Sequence, residues 1–72
     1  MNTKILENLG EQIRQIRKEK GFTQESLAEK VGIHPTYVGK IESGKNNVSV
    51  LMLFKISRAL GVKLYDVFEF DK

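Results

Sequence analysis

Cysteine is absent from all 72 residues, so neither a disulfide framework nor a thiolate metal site can form, and a reducing cytoplasm is the natural setting. The one histidine, His34, has no second histidine or carboxylate at ligand spacing, which argues against a metal centre. No apolar run approaches the roughly 20 residues of a membrane span, and residues 1–4 do not lead into a signal-peptide core, so the sequence predicts a cytoplasmic chain without membrane contact. A catalytic apparatus is missing as well: the serines lack a paired base, and Gly32, Gly39 and Gly44 have neither P-loop nor dinucleotide-fold spacing. The expectation is no enzyme, no cofactor and no small-molecule substrate.

What remains is an ordinary globular composition, 40% apolar and 29% charged, long enough for one domain over residues 1–72 and too short for a second core. A net charge of +3 favours a polyanionic partner without demanding one. Asp66, Glu69 and Asp71 crowd the C-terminal end, which is therefore an unfavourable face for nucleic acid.

The chain is organised around Thr23 to Ser43. Leu27, Ala28 and Val31, then Tyr37, Val38 and Ile41, form two short apolar patterns at helical spacing, separated by Gly32-Ile33-His34. Thr23 is a good N-cap for the first helix, and Glu25 puts negative charge in its first turn. Gly32 stops that helix and Pro35 opens the next, with His34 left as N-cap and Ile33 pointing inward. This is a helix-turn-helix.

Before it, Thr3 to Lys20 carries Ile5, Leu6, Leu9, Ile13 and Ile16 within one arc, a core-facing stripe ended by Gly21. After it, Ser43 to Asn47 reads as a polar loop, and Ser49 caps a helix from Val50 to Leu60 that Gly61 stops. Met52, Leu53, Ile56, Ala59 and Leu60 share one face of that helix, while Val50, Leu51 and Phe54 lie outside it. A short fifth helix follows, with Leu64, Val67 and Phe68 inward and Asp66 and Glu69 outward. The fold class is all-α, five helices with no strand pattern.

The run Gln24 to Ile33, followed by Thr36-Tyr37-Val38 and Ile41-Glu42-Ser43-Gly44, resembles the DNA-binding domain of the phage repressor, Cro and Xre family. The likeness extends from Leu9 to Phe68 and implies a compact lambda-repressor-like fold. Thr36-Tyr37, Ile41-Glu42 and Asn47 to Val50 are most similar to the small controller proteins of restriction-modification systems. The resemblance implies that Arg17 pairs with Glu42 as a structural ion pair tying the first helix to the third. It also implies a transcription regulator of double-stranded DNA, with the third helix reading the major groove.

On that helix Thr36 and Lys40 are i, i+4 neighbours; Thr36 can bond a base or phosphate, and Lys40 suits the guanine acceptors. Gly39 between them lets the backbone lie close to the groove wall. Pro35 stands where much of the family has a base-contacting polar side chain, so it offers only shape and apolar contact. Tyr37 packs at the edge of the second and third helices and can also turn its phenol to the DNA. Gln24, at a helix N-terminus, is expected at a phosphate, as are Lys45, Asn46 and Asn47 on the other side. Controller-like relatives tend to carry a basic residue in place of Asn46.

The second apolar face of the fourth helix, Val50, Leu51 and Phe54 with Tyr65 or Phe70 at the rim, predicts a homodimer on inverted-repeat half-sites. A protein-interaction module on the same scaffold, antitoxin-like, is the alternative, and fold alone does not choose between them. Aligned Thr36, Lys40 and Lys45 beside Gln24 favour DNA.

Overall fold

The computed structural model describes residues 4–70. The predicted helix start at Thr3, and Asp71 of the acidic cluster, lie outside the described residues. Four α-helices follow one another: α1 Lys4–Glu19, α2 Gln24–Val31, α3 Pro35–Glu42 and α4 Val50–Leu60. The expected fifth helix is instead a 3-10 turn, Leu64–Phe68. Five residues suffice for that tighter winding, in which positions i and i+3 eclipse. Leu64 and Val67 therefore share the inward face and Val67 is fully buried, while Phe68, expected beside them, is turned out and exposed.

The helix boundaries have local causes. Thr23 Oγ1 accepts from the Ser26 backbone N–H and Ser26 Oγ accepts from that of Thr23, each at 2.9 Å, a capping box that starts α2. Gly32 ends α2 at φ 90°, the left-handed conformation glycine adopts without penalty, and its N–H reaches Ala28 O at 2.8 Å. Across the turn, His34 Nδ1 accepts from the Thr36 N–H at 3.1 Å, so the histidine does cap α3. Ile33 packs half-buried against the core. Ser49 Oγ accepts from the Met52 N–H at 3.0 Å and starts α4.

One core joins all the elements: Leu9, Ile13 and Ile16 from α1, Leu27 and Ala28 from α2, Val38 and Ile41 from α3, Leu53, Ile56, Ala59 and Leu60 from α4, and Val67. Ile5, expected in the α1 stripe, is largely exposed. Burial of the stripe is complete only from Leu9, Leu6 being half-buried.

Gly10 sets how closely α1 meets α3. A Cβ there would overlap the backbone carbonyls of Ile41 and Glu42, so only glycine lets the two helices come this near. Gly44, at φ 76°, makes a second tight approach, with its Cβ position 2.7 Å from Glu7 Cα. These two contacts fix the end of α3 on α1. No helix among the described residues is long and apolar enough to cross a membrane.

Candidate nucleic-acid interface

The end of α3 is anchored by charge. Arg17 Nε donates to Glu42 Oε2 at 2.6 Å and its Nη2 to Oε1 at 3.2 Å, while Nη1 donates to the Phe22 carbonyl at 2.8 Å. Both residues are buried, each 7% exposed. Gln24 Nε2 completes the cluster by donating to Glu42 Oε1 at 3.0 Å. A buried charge left unpaired is costly, and every oxygen of this carboxylate is satisfied. The ion pair expected between the first and third helices is therefore present as part of a three-residue network.

That network leaves one side of α3 open. Gln24, Pro35, Thr36, Gly39, Lys40 and Lys45 line a shallow concavity, together with Glu25 and Ser43. Thr36, Lys40 and Lys45 are exposed. Tyr37 is half-buried against the core, and its hydroxyl makes no hydrogen bond among the described residues. Asn46 is half-buried and Asn47 exposed in the following loop, neither of them lining the concavity. Six of the nine expected contact residues thus meet on one surface.

Gly39 sits in the middle of α3 on this surface. A Cβ there would meet only the Gln24 side-chain amide, at 3.8 Å, an ordinary contact. Packing among the described residues does not require glycine at this position.

Sequence reasoning did not single out Gly10, although an isolated glycine inside a helical pattern is itself a sign of close packing. It also left Glu25 and Ser43 off this surface, because membership of a concavity depends on how α2 and α3 are angled.

Outside this concavity Val50, Leu51 and Tyr65 are 69%, 63% and 59% exposed, and Phe54 is 43% exposed. Phe70 differs from these, packing half-buried against the core of its own chain.

Comparison with known proteins is consistent along the chain. A helix-turn-helix family model, HTH_3, matches residues 13–67. Control protein C.BamHI of Bacillus amyloliquefaciens is 45% identical over 62 residues, which cover 85% of this chain and 76% of that protein. The crystal structure of the restriction-modification controller protein C.AhdI from Aeromonas hydrophila superposes with a TM-score of 0.85 at 36% identity, covering 88% of this chain and 96% of the other. SinR of Bacillus subtilis, solved in complex with DNA, gives a TM-score of 0.79 at 37% identity over 85% of this chain and 98% of the other. Given a family match over most of its length and an open third helix presented beside the N-terminus of the second, the chain belongs to the helix-turn-helix family HTH_3, whose members are DNA-binding transcription regulators rather than enzymes.

Proposed function

We propose that the chain binds specific double-stranded DNA sites as a homodimer on inverted repeats and regulates transcription in the manner of a restriction-modification controller. The observation that carries this reading is Gly39. A glycine inside a helix lowers its stability by about 0.5–1 kcal/mol relative to alanine, and no contact among the described residues asks for it. Its missing side chain has a use only if something approaches the exposed backbone of α3 closely, and the wall of a major groove is such a partner.

In this arrangement Thr36 and Lys40 reach base edges on either side of Gly39. Lys45, Asn46 and Asn47 meet the phosphates on one flank. On the other, the backbone N–H groups of Gln24 and Glu25 open α2, since Thr23 has already taken that of Ser26. Gln24 contributes through this helix end and through the amide hydrogen that Glu42 leaves free, because its other hydrogen is committed. Tyr37, packed against the core with a hydroxyl that makes no hydrogen bond among the described residues, serves as a rigid donor beside them.

A gel-shift with the DNA upstream of the chain's own coding sequence, repeated at raised salt, tests the proposal. A shifted band that persists in excess random duplex and weakens with salt is expected. Equal competition by random and upstream duplex would sink the claim of specificity.

A further inference from the structure

The recognition surface does not end at α3. A second concavity lined by Glu11, Arg14, Gln24, Gly39, Glu42 and Ser43 shares Gln24, Gly39 and Ser43 with the first. The surface therefore runs unbroken from Lys40 and Lys45 back to α1. Of the charged groups on this added stretch, Glu42 is buried and fully paired, which leaves Arg14 and Glu11 facing outward.

Arg14 Nη1 lies 3.7 Å from Glu11 Oε1, with both side chains about half exposed at 47% and 54%. At that separation the two are an ion pair without a hydrogen bond in the criteria of good geometry. Glu11 is shared besides, its other oxygen accepting from Gln15 Nε2 at 3.4 Å. Such a loose, solvated pair is easily exchanged for a better partner. A guanidinium carries five donors in a planar fork that fits a phosphate, and a carboxylate one turn away along the same helix competes for it.

We infer that Arg14 is a DNA-phosphate contact on α1 and that Glu11 holds it in reserve, lowering affinity for all DNA alike without touching base preference. The inference rests on the DNA-binding reading of α3 and extends that interface to the first helix. On docking, the guanidinium exchanges Glu11 for a phosphate oxygen and releases one counterion from the duplex. Arg17, three residues on, is buried in the Glu42 network and cannot do this work.

The test uses the full chain, a fluorescent duplex of random sequence and anisotropy at several salt concentrations. Arg14→Ala is expected to weaken binding about three- to tenfold at low salt and to flatten the log–log salt slope by about one unit per subunit. Glu11→Gln is expected to tighten binding about two- to fivefold, and this gain should vanish in the Arg14→Ala background, a coupling that simple removal of negative charge would not give. Circular-dichroism melts should coincide for all variants, because the pair is exposed. Wild-type binding with an unchanged Arg14→Ala curve would overturn this inference alone. So would a Glu11→Gln gain that survives without Arg14. A wild type that binds no duplex would overturn the DNA-binding reading together with it.

Discussion

Gln24 and Glu42 are joined by a hydrogen bond of 3.0 Å, and the same carboxylate takes the Arg17 guanidinium at 2.6 Å. One buried residue thus holds α1 to the end of α3 and orients a side chain at the start of α2. The stability of the fold and the shape of the interface are coupled through it. Removing one partner of a buried pair strands the other charge, at a cost of about 3–5 kcal/mol. Glu42→Ala should therefore lower the melting temperature by on the order of 12–40 °C in a domain of this size. DNA affinity measured well below that melt should fall far less. Native stability with lost DNA binding would show that Glu42 acts at the DNA instead.

Two glycines should respond to alanine in opposite ways. At Gly10 the added methyl runs into the carbonyls of Ile41 and Glu42, which are backbone and cannot swing aside, so α1 must move off α3. A loss of about 1–3 kcal/mol is expected from such overpacking. At Gly39 the methyl has room, and relief of the mid-helix glycine should raise stability by about 0.5–1 kcal/mol. In the proposed interface the same methyl would project toward the DNA, so Gly39→Ala should be more stable and bind its site more weakly. Thermal melts and anisotropy on the two variants decide this, and a Gly39→Ala protein with unchanged affinity would remove the main support for close groove approach.

Much of this architecture is written in local signals. Thr23, Gly32, Pro35, Ser49 and Gly61 mark helix ends through caps and backbone preferences that act within a few residues, and each acts at a helix boundary in the structure. The Leu9, Ile13 and Ile16 stripe and the two-faced α4 follow from periodicity in the same way. What the residues alone could not reveal depends on tertiary geometry. Periodicity cannot distinguish an α-turn from the tighter 3-10 winding over five residues, so the pattern alone places Phe68 inward. Ile5 obeys the stripe, yet burial needs a covering element as well as a pattern. Gly10 matters only because two particular carbonyls lie against it, and Arg14 lines the same concavity as Gly39 and Ser43 only because α1 passes beside them.

Lys40 and Lys45 are both exposed on the same concavity, and the proposed interface gives them different work. A lysine that reads guanine should, on replacement by alanine, cost about 1–3 kcal/mol on the best site and relax preference at one position. This is the expectation for Lys40→Ala. Lys45→Ala should weaken specific and random DNA alike and flatten the salt slope by about one unit per subunit. Binding-site selection followed by salt titration separates them, and equal losses on every duplex for both variants would show that Lys40 reads no base.

The exposed face of α4 bears on assembly. Val50, Leu51 and Phe54 project away from the core that Leu53, Ile56 and Leu60 fill, and Tyr65 is exposed nearby in the chain after α4. Phe54 is covered in part by the Arg58 guanidinium, 5.6 Å from its ring, which shields one face and leaves the residue 43% open. Clustered apolar exposure of this kind commonly marks an interface, and a second copy is a self-complementary partner that would set two α3 helices about 34 Å apart along the DNA. Phe70 packs against its own core, so Tyr65 is the aromatic proposed for the rim. Leu51→Lys/Phe54→Lys places two further cations beside Lys55 and Arg58 and removes the apolar area, while leaving every buried residue in place. The variant should therefore melt near the wild type yet sediment as a monomer at micromolar concentration and bind an inverted-repeat site much more weakly than the wild type. An unchanged dimer in sedimentation would rule this face out as the interface.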